Sequence, residues 1–216
     1  MTSKTYPRGT VRALVETNFV TPATREVIKS RLATDDAPTL PDSEPRYFDA
    51  EAFDTLRAAC ARLIPQADRS RPVDLAGAID ERLANGHCDG WRYSQMPPDG
   101  EAYRRGLLGL NESGRVMFGM AFYELDAFRQ DEVLLAVQRN EAQGQTWTTV
   151  PARRFFEELL AELTECYYSD PSAQEEIGYV GFADAHGWNA IGLNELEAHE
   201  PRGVEDSADG GARDTG

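Results

Sequence analysis

Between residues 49 and 167 apolar side chains return every three or four positions, and nowhere in that stretch do they alternate as a strand requires. A chain written at that period buries its apolar stripes by packing helix on helix. The clearest run places Phe53, Leu56, Cys60, Leu63 and Ile64 on one face. Asp49 stands where a cap is needed, Phe48 and Phe53 occupy the two staple positions, and Pro65 ends the run. A second helix is predicted over 73–85, with Leu75, Ile79 and Leu83 four residues apart and Asn85-Gly86 as its stop. A third, over 99–110, presents Tyr103, Leu107 and Leu110. Ser113 is expected to cap a fourth whose residues Val116, Phe118, Met120, Phe122 and Leu125 are apolar nearly all round, which marks a central helix. Asp126 caps a fifth that carries Val133, Leu134 and Val137 and stops at Gly144. Thr149 with Pro151 opens a sixth, with Phe155, Phe156, Leu159, Leu160 and Leu163. The expected fold class is mainly α, an irregular bundle of about six helices over a core at 48–168.

The flanks read differently. Residues 1–47 form an N-terminal arm and linker: a short apolar patch of Val11, Leu14, Val15 and Phe19, then a helix starting at Thr21-Pro22 and reaching Leu32. Residues 33–47, rich in Pro, Asp and Ser, are predicted to run extended over a surface. Residues 169–200 interleave Gly, Pro and aromatics without a period, an irregular segment fit for docking a partner. The acidic tail 201–216 has Val204 as its one large apolar residue and is expected to be disordered, because it cannot bury enough surface to offset ordering entropy.

The net charge of -15 sets the chain against phosphate backbones and anionic lipid, so neither nucleic acid nor a membrane surface is an expected partner. No apolar run approaches the roughly 20 residues of a spanning helix. Residues 1–21 lack an apolar signal region, and Arg8 stands without a neighbouring arginine, so the cytoplasm is the expected compartment, with the periplasm the alternative if a partner carries the chain out.

Candidate chemistry is sparse. His87-Cys88-Asp89 has no second ligand pair at a zinc spacing, and adjacent loop residues rarely converge on one ion. Cys60 and Cys166 lie on apolar helix faces, where cysteine acts as a small hydrophobe. There is no GxGxxG after a strand, no Walker loop and no GxSxG elbow. The pairs Glu157-Glu158 and Glu175-Glu176 read as solvated faces. No catalytic residue, metal ligand or cofactor-binding residue is therefore expected. Residues 147–193 stand out instead, with Trp147, Tyr167, Tyr168, Tyr179, Phe182 and Trp188 among glycines and Pro171. Such aromatics either complete their burial on a partner or fold back across the chain's own helices.

A colinear set of motifs resembles the gluconate 2-dehydrogenase subunit 3 family, the small subunit of FAD-dependent sugar and polyol dehydrogenases. The set comprises FDTLRAACARLIP (53–65), AGAIDERL (76–83), YRRGLLGLN (103–111), YELDA (123–127), W-x-x-V-P-A-x-x-F-F (147–156), YYSDP (167–171) and GW-x-x-IG (187–192). The likeness covers residues 48–193. It implies a non-catalytic helical subunit bound to a large flavoprotein of the glucose–methanol–choline type. That partner holds FAD, in some complexes an iron–sulfur cluster, and a cytochrome c subunit takes the electrons. The resemblance also implies a role in maturation, and in many members a twin-arginine signal that exports both chains to the periplasm. Here that signal is missing, and SAQEEIGYVGFADA (172–185) stands where many members have a shorter Gly-Gly-Asn stretch, as in a branch with a different partner. The residues expected to form the docking surface or its scaffold are Trp147, Tyr167, Tyr168, Asp170, Pro171, Tyr179, Trp188 and Ile191. A dedicated chaperone for the flavoprotein and an independent helical ligand-binding protein are the alternatives.

Overall fold

The computed structural model describes residues 10–33, 44–67, 69, 72–88, 93–182 and 184–200. Among them the regular structure is entirely helical: α1 (Thr10–Val15), α2 (Pro22–Ala33), α3 (Ala50–Leu63), α4 (Leu75–Ala84), α5 (Asp99–Phe118), α6 (Ala127–Gln138), α7 (Ala152–Tyr168) and α8 (Pro171–Ile177). Two single 3-10 turns, Phe122–Glu124 and Thr146–Thr148, interrupt the connections. None of these helices is long and apolar enough to cross a membrane. The described residues fall into two compact units, one from 44 to 167 and one combining those up to 33 with those from 168 on.

The larger unit holds α3 to α7. The Asp49 carboxylate caps α3 by accepting the Ala52 N–H at 2.8 Å, which stabilises a helix start by about 1 kcal/mol. Phe48 and Phe53 are both buried. Asp74 caps α4 through the Gly77 N–H, and Gly86 takes the left-handed conformation (φ 68°) just past its end. Leu75, Ile79 and Leu83 all point inward. The chain before α3 is fixed by one buried residue. The carboxylate of Asp80 on α4 accepts the backbone N–H groups of Arg46, Tyr47 and Phe48 at 2.6, 3.0 and 3.0 Å. Residues 34–43 of the expected linker lie outside the described residues.

The expected third and fourth helices are one helix, α5, of 20 residues. Ser113 does not cap. It is buried, donating to the Gln143 carbonyl and accepting the Trp147 indole N–H, so its hydroxyl is used sideways. Asn111 behaves alike: its Nδ2 donates to Thr55 Oγ1 at 2.9 Å and its Oδ1 accepts the Phe122 N–H at 3.0 Å. Gly119 (φ 78°) ends α5, and the chain folds back over Gly114, where a side chain would meet the backbone of Met120 and Phe122 at 2.8 and 2.9 Å. The expected all-round apolar helix is thereby split. Phe122 and Leu125 turn into the core, whereas Val116, Met117 and Met120 face solvent. Asp126 caps α6 as expected, but that helix ends at Gln138, with Asn140 (φ 60°) in the left-handed position ahead of Gly144. Helix α7 begins directly after Pro151, and the Thr149 hydroxyl bonds the Thr146 carbonyl instead of capping it.

The smaller unit holds α1, α2 and α8. Val11, Val15, Ile28 and Leu32 form one buried cluster, Leu14, Val20 and Val180 another, and Phe182 packs against both. Helices α1 and α8 occupy stretches that the sequence left as arm and irregular segment, so residues read as separate flanks are here parts of one unit. Residues 1–9 and the tail 201–216 lie outside the described residues.

Candidate functional site

Within the smaller unit, the C-terminal segment is fastened to the N-terminal helices by carboxylates. Glu175, on α8, accepts the N–H groups of Val11 and Arg12 at 3.2 and 3.0 Å. It is not the solvated residue its sequence neighbourhood suggested: it satisfies donors at the start of α1 that have no partner within that helix. Asp184 accepts the Thr21 N–H at 2.8 Å and the hydroxyls of Thr21 and Thr24 at 3.0 and 2.8 Å. These bonds, led by the Thr21 N–H, hold the Asp184 carboxyl below its usual value. The Ala185 N–H donates to the Phe19 carbonyl, and the Phe19 ring meets those of His199 and His186 at 4.5 and 6.1 Å. His199 in turn meets the Trp188 ring at 5.0 Å.

The expected docking residues separate into two groups. Trp147 lies against Gly109 and Phe155, and its indole N–H reaches Ser113 Oγ at 2.9 Å. Tyr167 is buried, its hydroxyl accepting from Arg69 at 2.9 Å. Asp170 caps α8 by accepting the N–H and hydroxyl of Ser172, and Pro171 is buried at the first turn of that helix. These four build scaffold. The other four face solvent: Tyr168, Tyr179, Trp188 and, at 84% exposure, Ile191. Exposed residues that the sequence did not single out join them. Ile177, Leu193 and Leu196 belong to the smaller unit, and Leu108 and Phe128 to the larger. Periodicity could not flag them, because it reports that a side chain is apolar and not which surface covers it.

The larger unit has a cleft of about 290 Å³ lined by Arg82, Met96, Asp99, Tyr103, Glu162 and Cys166, among others. Arg82 grips both oxygens of Glu162 at 2.6 and 2.9 Å and reaches Asp99 at 3.0 Å, while the Tyr103 hydroxyl donates to Glu162. Burial opposes the Arg82 charge, but the bonds to Glu162 and Asp99 outweigh it and keep the guanidinium charged. Burial, reinforced by Glu162, pushes Tyr103 far above its usual value, so it remains a hydroxyl. This network is a cross-link among α4, α5 and α7. Among the described residues no group of three His, Cys, Asp or Glu side chains is placed to hold a metal ion, and Asp89 lies outside them.

The resemblance quoted above now acquires a structural basis. Gly106 and Gly109 of the YRRGLLGLN motif offer bare helix faces to Phe155 and Trp147 of the W-x-x-V-P-A-x-x-F-F motif. Two separated motifs thus make one packing joint. Compared with known proteins, the chain matches no curated protein and no solved structure. The model of one protein family, described as gluconate 2-dehydrogenase subunit 3, matches residues 50–192. The chain belongs to the gluconate 2-dehydrogenase subunit 3 family.

Proposed function

We propose that this chain is a non-catalytic small subunit that binds and stabilises a large FAD-dependent sugar or alcohol oxidoreductase of the glucose–methanol–choline type. The flavin, and any iron–sulfur cluster, belong to that partner, and a cytochrome c subunit is a further candidate member of the assembly. The observation that carries the reading is the outward placement of Tyr168, Tyr179, Trp188 and Ile191 on a unit that carboxylates hold together from within. Large apolar groups displayed on an ordered scaffold mark an interface that a second polypeptide completes. A subunit needs no reactive group to matter: binding the native flavoprotein and not its unfolded chain shifts the folding equilibrium by mass action.

Co-expression with a large flavin oxidoreductase, followed by size exclusion, tests the reading. The chain is expected in the same peak as the flavin absorbance and the dehydrogenase activity. An active flavoprotein that elutes without it would favour a departing chaperone. Sugar turnover by this chain alone would overturn the subunit reading altogether.

A further inference from the structure

Residues 188–200 make a loop whose backbone is organised by its own acidic side chains. Glu197 Oε1 accepts the N–H groups of Asn189 and Ala190 at 2.5 and 2.7 Å. Glu195 accepts the Gly192 N–H at 3.1 Å while its own N–H returns to the Gly192 carbonyl at 3.2 Å. Glu200 accepts the Glu197 N–H at 2.6 Å. The loop is also anchored from behind, because His199 touches both Phe19 and Trp188 with its ring nitrogens enclosed. The acidic side chains are bonded to the loop's own backbone at its surface, and large apolar side chains beside them are left uncovered: Ile191 is 84% and Leu193 95% exposed, with Leu196 and Trp188 about half exposed.

We propose that this loop is a preformed apolar plug, led by Ile191 and Leu193, that seats in a cleft of the partner protein rimmed by Lys and Arg. The proposal rests on the subunit reading and names its contact. A loop already bonded in one conformation loses little ordering entropy when it docks. Charge selects the occupant. Glu195, Glu197 and Glu200 flank the plug, and backbone N–H bonds hold the Glu197 carboxyl below its usual range. A second copy of this chain, itself at -15, would bring like charge against like. Anionic lipid meets the same repulsion. An apolar cleft with a basic border satisfies both the exposed side chains and the carboxylates around them.

The test is isothermal titration of the purified, flavin-loaded large subunit with the full-length chain, wild type and I191E/L193E. Both side chains are exposed, so the variant is expected to keep the wild-type circular dichroism and melting temperature. Its affinity should fall by about 30-fold or more, as for a truncated interface anchor. Raising NaCl from about 50 to about 500 mM should weaken the wild-type complex several-fold. Wild-type affinity in the double variant overturns the plug and leaves the subunit reading standing, and no binding by the wild-type chain sinks both. Salt-independent binding removes the basic rim. Self-association of the wild-type chain, or binding to phosphatidylcholine vesicles, that the two substitutions abolish would assign the plug to another occupant.

Discussion

Phe155 packs against the bare Cα of Gly106, so close that a methyl group added there would sit inside the ring's van der Waals surface. Three residues on, Gly109 takes the Trp147 ring in the same way, at 2.5 Å from the position of an added Cβ. Glycine inside a helix costs about 1 kcal/mol relative to alanine, so both positions weaken α5 locally and recover the loss through close packing. Gly106→Ala should therefore destabilise the protein despite its better helix propensity. The overpacking penalty, about 1–3 kcal/mol, exceeds the propensity gain. Urea unfolding followed by circular dichroism checks the sign, and a stabilised variant would mean that the ring is free to move away.

Asp80 carries a comparable load with polar groups. Its carboxylate is buried and is the acceptor for three successive N–H groups, from Arg46 to Phe48. Asp80→Asn keeps the shape but turns an NH2 group toward one of those donors, leaving a buried clash of donors. A loss of about 2–3 kcal/mol is expected, since bonds to a charged acceptor are the stronger kind and an orphaned donor keeps its desolvation cost. The same urea experiment reads it, and a change below about 0.5 kcal/mol, the range of ordinary surface substitutions, would show that the segment before α3 has other moorings.

These two joints also show where sequence was informative and where it was not. Helices α3 and α4 were legible because stripe, cap and stop all lie within a few residues of each other: Asp49 with Phe53 to Ile64, and Leu75 to Gly86. Ser113 was misread as a cap because its partners, Gln143 and Trp147, are 30 or more residues away. Helices α1 and α8, of 6 and 7 residues, are too short to show a period, and the bonds from Glu175 to Val11 and Arg12 span more than 160 residues. Trp147 was expected at a docking surface or its scaffold, and the Gly109 face that receives it could be recognised only once α5 and the following chain were in place. Hydrophobicity marked Trp188 and Ile191 as residues that prefer burial, but not what buries them.

The smaller unit should loosen in acid through Asp184. Its carboxyl is held below the ordinary value of 3.8 by the Thr21 N–H and the Thr24 and Thr21 hydroxyls. A depressed carboxylate contributes its stability in full above the unfolded value and loses it as pH falls through the lower folded value. Exchange of the Thr21 amide hydrogen, corrected for its intrinsic rate, should accelerate on titration from about pH 5 to about pH 2. Asp184→Asn should give fast exchange throughout, with the pH dependence flattened. A steep acid transition surviving in that variant would point to another carboxylate.

Thiol reactivity offers a separate check on packing. Burial, with help from Glu162 and Glu165, pushes Cys166 up to about 11, and burial followed by Asp74 raises Cys60 beyond it. At pH 8 the Cys166 thiolate is then about one part in a thousand. Cys88 is exposed. Brief iodoacetamide treatment of the native protein should label Cys88 alone, and all three cysteines in urea. Fast native labelling of Cys166 would show that the Arg82–Glu162 cleft opens widely in solution.

Two tryptophans separate scaffold from the proposed docking surface in one experiment. The Trp147 ring is lodged between Gly109 and Phe155 and bonded to Ser113, so Trp147→Ala should cost about 3 kcal/mol, the lower end for a core aromatic, and lower the melting temperature. Trp188 meets the His199 ring, is 42% exposed and belongs to the smaller unit, so Trp188→Ala should leave the helical signal and the melting of α3 to α7 nearly intact. Recovery of the proposed flavoprotein complex should respond in the opposite order at a temperature where both variants are folded, with Trp188→Ala the poorer binder. The contrast is informative because the two residues have the same chemistry and differ in what faces them. If Trp188→Ala lost helicity in proportion to binding, its ring would be part of the interior, and the exposed face of the smaller unit would lose its claim as an interface.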